Sequence, residues 1–597
     1  MVVKTITILS CCCLALMPLV AYYPLPFVTA GTEGLILLLY SCIVSITAAL
    51  SGNARPLSLS PAIPICGLIL CAYLLLRTDV TTGSQPDKAL VMIPAFAGLL
   101  FALPILINQT NTRRLLINII TLITLFESIL GLLQFAHFVD YKNTDFIAGG
   151  SMMNPAVYGN FLSLVIPFLF AVLLLRKQAK TTSFVSALLT ITLLSGMAAV
   201  MISSARTSWI AIAAGITVVL LYHYRQLLCQ HILHSRKLTL ITAMSFITIV
   251  AMLMMWLLQY KSASTSGRMF IYRQSLSPLA ANPITGVGLN KFGVAYNLAQ
   301  AEYFKQSTSD KAEILHADNI NIAPGEWLQL SVEAGLIGVI LGLLAFAVLL
   351  FILIKQLRSA DEAMIPLYIG GIGTLVALFY CMLFSYPLHT YPVVAILLLI
   401  LSVPLSDTTA IRQYPAGVYR QWIAKGVLVA VCSVALNWQL RIGNAERKWL
   451  HLQHSTFWLN YKAIKPEYEQ LLHLLDSNFE FLSDYASLAY QNGDYQTSLR
   501  VLNKGKRLFS SYLAYMYAAC CYQQLKDTDK AFTQFNIACN MAPNRFLPKY
   551  RFFLFLVEQK RFREAAILRQ EINSLPVKVP GKEVSFIKDK VNEVVLL

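Results

Sequence analysis

The chain is dominated by apolar runs of the length that crosses a bilayer. A hydrocarbon core of roughly 30 Å takes about 20 apolar residues per helix. Thirteen such runs follow one another, at approximately 5–22, 34–50, 58–77, 89–107, 115–139, 156–175, 183–203, 207–223, 238–259, 327–354, 364–385, 390–406 and 423–440. In lipid every backbone N–H and C=O has to bond within its own segment, so these runs predict helices. With 57% hydrophobic and 13% charged residues, the chain carries about half the charge density of a soluble domain, which excludes an ordinary water-soluble fold. The first run follows Lys4 and is read as an uncleaved helix, because no clean cleavage site closes it and further spans follow. Cys11, Cys12, Cys13, Cys42, Cys66, Cys71, Cys381 and Cys432 lie inside apolar runs and read as small buried hydrophobes rather than a disulfide framework.

Lysine and arginine set the orientation, since short loops rich in them stay on the cytoplasmic side. With the N-terminus inside, Lys4, Arg55, Arg113, Arg114, Arg176, Lys177, Lys180, Arg225, Arg236, Lys237, Lys355, Arg358, Arg412, Arg420 and Lys425 are cytoplasmic. Only Arg77, Lys88, Lys142 and Arg206 fall in short outer connections. The formal charge of +17 is thereby largely a topology signal, and no nucleic-acid motif accompanies it. This orientation leaves one long outer loop, 260–326, within a membrane domain of residues 1–440, and places 441–597 outside.

That tail is a different material. It holds 22 Lys+Arg and 15 Asp+Glu, a charge density that belongs in water. Tyr515, Ala519, Tyr522, Ala531, Phe535, Ala538 and Pro543 fit the 34-residue tetratricopeptide pattern, in which small residues let paired helices approach. Ala486, Ala489, Gly493, Asp494, Ser498 and Leu502 fit it one register earlier, and Phe562 and Ala565 continue it. The expected fold is therefore all-α: a polytopic helical membrane protein of about 12–13 spans, followed by a periplasmic helical repeat domain resembling tetratricopeptide repeats.

Ionisable groups at the outer face carry the candidate chemistry. Arg206 stands alone between two spans in Ser203-Ser204-Ala205-Arg206-Thr207-Ser208-Trp209. The long loop opens with Ser266-Gly267-Arg268 and reaches Arg273, then runs through Asn282-Pro283-Ile284-Thr285-Gly286-Val287-Gly288. Paired guanidinium hydrogen bonds suit a diphosphate headgroup, whereas Gly286-Val287-Gly288 reads as a turn. The loop closes with His316-Ala317-Asp318-Asn319 and Pro324-Gly325-Glu326-Trp327-Leu328-Gln329, with Glu333 in the next span, and His389 lies in the later outer turn Ser385-Tyr386-Pro387-Leu388-His389. These histidines and acids are candidates for acid–base work, without metal-ligand spacing. No Walker loop, Gly-x-Ser-x-Gly elbow or CxxC pair occurs, so neither ATP coupling nor any cofactor is expected.

Together the segments resemble the O-antigen ligase superfamily, which embraces O-antigen ligases, related polymerases and bacterial protein O-oligosaccharyltransferases. Asn154-Pro155-Ala156-Val157-Tyr158-Gly159, Ser204-Ala205-Arg206-Thr207-Ser208-Trp209, the loop entry at Ser266-Gly267-Arg268 and the exit Glu326-Trp327-Leu328-Gln329 through Gly338 carry the resemblance, with Phe384 to His389 in support. The resemblance implies a bacterial inner-membrane enzyme that moves a glycan from an undecaprenyl-diphosphate carrier to an acceptor hydroxyl at the periplasmic face. The acceptor is a lipid A core, a protein or a growing glycan. Arg206 and Arg268 become diphosphate ligands, joined by Arg273. The family usually has His-Asn-Glu where this chain has Pro324-Gly325-Glu326, so the usual base is missing. His316, Asp318, Glu326 and His389 are the candidate substitutes, with Glu326 and His316 favoured as lying near that position; the alternatives are that the leaving group does more of the work or that transfer activity is lost. Two alternatives stand beside the ligase: a non-catalytic membrane scaffold that recruits proteins through its repeat domain, and a transporter, disfavoured by the absence of evident inverted repeats.

Overall fold

The structure is a computed structural model. It describes residues 2–17, 30–50, 62–77, 99–230, 262–406, 418–455, 460–577 and 581–595, apart from a few single positions and short stretches within these ranges. Among the described residues there is no strand. The membrane part comprises helices α1 (Val2–Ala15), α2 (Ala30–Leu50), α3 (Ala62–Leu76), α4 (Thr110–Phe135), α5 (Pro155–Leu175), α6 (Ser183–Ser203) and α7 (Arg206–His223). The loop between spans holds α8 (Ser262–Ala281), α9 (Phe292–Gln306) and α10 (Lys311–His316). Then come α11 (Glu326–Leu357), α12 (Ile365–Phe384), α13 (Tyr391–Leu405) and α14 (Val418–Ser455).

Six described helices are long and apolar enough to cross a membrane: Thr110–Phe135, Pro155–Leu175, Phe184–Ser203, Arg206–His223, Glu326–Leu357 and Ile365–Phe384. Helices α1, α2, α3, α13 and α14 fall on five further expected spans. The span expected at 238–259 and most of that at 89–107 lie outside the described residues. Helix α14 is continuous across residue 440, so the expected end of the membrane part falls inside a helix.

Helices α5 and α12 are the most buried spans, and small residues let α7 press against them. A Cβ at Gly215 would meet Pro167 and the Gly373 carbonyl, and one at Gly159 would meet Ser208. Without a strong hydrophobic drive in lipid, such close backbone approach is how helices lock together. It fixes the start of α7, and with it Arg206, against the start of α5.

Helix α11 is broken. Gly335 has φ 64 and ψ −165, and the segment 282–288 supplies what the break removes from the helix ladder. The Val287 and Gly288 amides donate to the Val332 and Glu333 carbonyls at 2.9 Å each, while Leu336 and Ile337 donate to the Pro283 and Ile284 carbonyls at 2.9 and 3.2 Å. Tyr73 Oη donates to the Ala334 carbonyl at 2.7 Å. Irregular backbone at a membrane edge survives only when its polar groups are met this way. The Gly286-Val287-Gly288 turn is thus the cap of a discontinuous helix. A Cβ on Gly335 would collide with the Ile284 carbonyl, whereas one at Gly493 (φ 77) would meet nothing. Gly335→Ala is expected to cost about 3 kcal/mol or more and Gly493→Ala only about 1 kcal/mol, read as thermal unfolding of the detergent-solubilised protein. Equal costs would contradict the cap.

The C-terminal part is built of α15 (Tyr461–Leu472), α16 (Phe479–Gln491), α17 (Tyr495–Leu508), α18 (Tyr512–Gln524), α19 (Thr528–Met541), α20 (Phe546–Glu558), α21 (Phe562–Ser574) and α22 (Lys582–Glu593). Helices 16 and 17, 18 and 19, and 20 and 21 pack as pairs. Each pair turns on a left-handed residue, Gly493, Lys526 or Lys560. In each turn the next amide donates back at 2.9 Å: Asp494 to Ala489, Asp527 to Tyr522, Arg561 to Leu556. Of the residues read as repeat positions, Ala486, Ala489, Ala519, Ala531, Phe535 and Ala538 are buried, whereas Gly493 is exposed and Asp494, Tyr522 and Phe562 are half-buried.

Candidate active site

The site is organised by the turn that leaves α12. Three consecutive carbonyls of this turn accept hydrogen bonds from the loop: Leu383 from Tyr272 Oη at 2.8 Å, Phe384 from Arg268 Nη1 at 2.9 Å and Ser385 from the Glu326 amide at 3.1 Å. From the bundle side, Asn160 Nδ2 donates to Ser385 Oγ at 2.8 Å and Asn154 Nδ2 to Tyr386 Oη at 2.9 Å. Asn154 also caps α5, its Oδ1 accepting from the Ala156 amide at 2.8 Å. Loop, α5 and α12 therefore meet on one turn, 383–389.

Arg268 lies within helix α8, which begins at Ser262. Burial, and then the positive charge of Arg206, hold the Arg268 guanidinium below its ordinary range, with the phenols of Tyr272 and Tyr386 working the other way. Arg206 and Arg268, far apart in sequence, are thus close enough to repel. Among the described residues no carboxylate pairs with Arg268. Burial also raises the Tyr272 and Tyr386 phenols. Arg206 begins α7, where the helix adds partial positive charge. Two crowded cations beside two phenols form a ready anion site.

Glu326 and His389 form the second half. Glu326 Oε2 lies 2.9 Å from His389 Nδ1, and its Oε1 accepts from the Leu388 amide at 2.7 Å. Gln329 Nε2 lies 3.0 Å from His389 Nε2 and donates to Glu333 Oε1 at 3.0 Å, while Gln329 Oε1 accepts from the Ala323 amide at 3.1 Å. These partners assign Nδ1–H to the side facing Glu326 and leave Nε2 as the acceptor. Burial disfavours the charged ring, but the Glu326 carboxylate in contact, with Glu333 beyond it, outweighs this and holds His389 above its ordinary range. A carboxylate that orients an imidazole through Nδ1 leaves Nε2 to act as a general base.

The remaining candidates stand elsewhere. Arg273 is engaged by Glu313 and by Tyr303 Oη at 3.1 Å; five residues from Arg268 it projects from another side of α8. His316 bonds Ser266 Oγ at 3.0 Å through Nε2, next to Gly267 but apart from the Glu326–His389 pair. Asp318 takes both oxygens to Arg545, at 3.0 and 2.8 Å, and serves as a tie to the C-terminal helices. Tyr272, Asn154, Asn160 and Gln329 were not singled out from sequence as site residues. Asn154 and Gln329 lay inside motifs already noted, whereas Tyr272 carried no signal beyond its place one helical turn after Arg268.

No curated protein matches the chain. Residues 191–343 match the family model described as O-antigen ligase, a segment that runs from within α6 through α7, the loop helices and the break in α11. It contains Arg206, Arg268, Glu326 and Gln329. Over this segment the chain is similar to the O-antigen ligase family.

Proposed function

We propose that the chain is a glycan ligase of the bacterial inner membrane that takes a saccharide from an undecaprenyl-diphosphate carrier at the periplasmic face. The observation that carries this reading is that one turn, 383–389, holds both Arg268, with Arg206 near it, and the Glu326–His389 pair. The acceptor hydroxyl attacks the anomeric carbon and its proton passes to His389 Nε2. The bond from that carbon to the diphosphate oxygen breaks, and its electron pair leaves on the diphosphate. Arg206 and Arg268 stabilise that growing charge, and Glu326 stabilises the imidazolium. Gln329 occupies Nε2 in the present structure and gives way to the acceptor hydroxyl. Pro324 stands where the family has histidine, and His389 supplies the missing base from the neighbouring turn.

The orientation places the N-terminus in the cytoplasm and residues 441–597 in the periplasm, where the helix pairs, with their tetratricopeptide-like spacing, hold a protein or acceptor. The acceptor is a lipid A core, a protein or a growing glycan. Deleting the chain and profiling glycolipids and glycoproteins tests the reading: lipid-linked saccharide is expected to accumulate while its conjugate disappears. Unchanged glycans together with loss of a protein from the membrane would favour the scaffold.

A further inference from the structure

Helix α9 joins the candidate active site to the C-terminal helices through two amides that are fully buried. Asn297 Nδ2 donates to the Ile320 carbonyl at 3.1 Å and to the Ser510 carbonyl at 2.9 Å, while its Oδ1 accepts from the Ile320 amide at 3.0 Å. Gln300 Oε1 accepts from Tyr296 Oη at 2.9 Å, and its Nε2 donates to the Asp318 carbonyl at 3.1 Å and the Met541 carbonyl at 2.6 Å. Each amide therefore ties α9, the 318–320 segment and a turn of the C-terminal domain at once. Ala301 is buried in the same apolar cluster as Tyr515, Met516 and Phe546, and Arg545 clamps Asp318 at the rim. Buried amides so fully met fix one register and no other, because any slip leaves polar groups without partners.

The other end of α9 reaches the catalytic pair. The Phe292 amide donates to Glu333 Oε1 at 3.2 Å, the oxygen that also accepts from Gln329 Nε2. The same Gln329 nitrogen abuts His389 Nε2. Phe292 and Tyr296 stack at 5.7 Å and pack with Ala323 and Val332, so α9 is seated against the first half of α11.

We propose that Asn297 and Gln300 are positioning residues that make the C-terminal helical domain a working part of the transfer site: the seating of α9 on that domain sets Glu333 and, through Gln329, the ring of His389. This rests on the reading of His389 as the proton acceptor. None of the Asn297 and Gln300 bonds reaches Arg268, whose guanidinium hangs on the Phe384 carbonyl, or the packing of α5 and α7 that holds Arg206. Loss of the joint therefore slows proton transfer without loosening the diphosphate.

The test uses the full-length chain in proteoliposomes with its lipid-linked saccharide. Asn297→Ala with Gln300→Ala, and Asp318→Arg or Arg545→Asp singly, are expected to lower kcat about tenfold with donor KM nearly unchanged. The swapped pair Asp318→Arg with Arg545→Asp is expected to recover most of it. Wild-type kcat in the single variants, a rise in KM alone, or a swap no better than its parts would overturn the proposal. Hydrogen exchange gives a readout independent of turnover: amides of 326–333 are expected to exchange faster in the Asn297/Gln300 double variant and at the native rate in Arg268→Ala. Unchanged exchange in the double variant overturns the coupling. Should His389→Ala transfer normally, the base assignment falls and this proposal with it; should His389→Ala fail while the joint variants work, this proposal alone falls.

Discussion

Arg268→Ala is expected to abolish measurable glycan transfer, with kcat reduced about 10²- to 10³-fold, in a protein that still inserts and accumulates in the membrane. Among the described residues the guanidinium has a single hydrogen bond, to the Phe384 carbonyl, so its removal deletes little that holds the fold. It does delete one of two neighbouring cations, whose proton affinity is already depressed by burial and then by repulsion from the charge of Arg206. An anion that relieves that repulsion binds more tightly as its charge grows, which favours the departing diphosphate over the intact donor. Arg268→Lys is expected to keep part of the rate, since it retains charge but loses the planar fork. Arg273→Ala provides the contrast. Its charge is met by Glu313, so transfer is expected to change by less than about threefold, the scale of an exposed ion pair. Comparable losses at positions 268 and 273, measured as turnover of lipid-linked saccharide in membranes, would count against a diphosphate site at the α12 turn.

That contrast shows where sequence reading stops. Hydropathy located the six long spans among the described residues because lipid imposes length and apolarity on each segment by itself, and arginines in the connections stood out for the same reason. Choosing between Arg268 and Arg273 needed the rotation of about 100° per residue along α8 and a glutamate from another helix, neither of which a local motif contains. Asp318 looked like a base until its partner appeared 227 residues away at Arg545. The break at Gly335 was hidden for a related reason: the apolar run 327–354 continues through it, and the cap comes from 282–288 by tertiary contact. From sequence His316 ranked above His389, because it lies nearer the missing histidine. The structure separates them by giving one a buried carboxylate and the other a serine hydroxyl.

The Glu326–His389 pair makes the second large prediction, and here pH is the informative variable. His389→Ala is expected to lower kcat about 10²- to 10⁴-fold, the range of a positioned general base. Glu326→Gln keeps the size of the side chain but removes the charge that holds the ring above its ordinary range. A base works unprotonated, so wild-type transfer is expected to climb as pH rises through that raised value. In Glu326→Gln burial is left to dominate, which favours the neutral ring. The climb is then expected at lower pH, with a lower plateau because the imidazolium formed during transfer loses its counter-charge. The linkage has the matching sign: stability from the ion pair is present in full below the ordinary histidine range and fades as pH rises through the raised value, so Glu326→Gln is expected to destabilise the protein more in acid than in alkali. A pH profile that moves toward alkali in Glu326→Gln, or that is unchanged in His389→Ala, would remove His389 as the proton acceptor. The Arg206–Arg268 cluster would then stand as an anion site in search of another base.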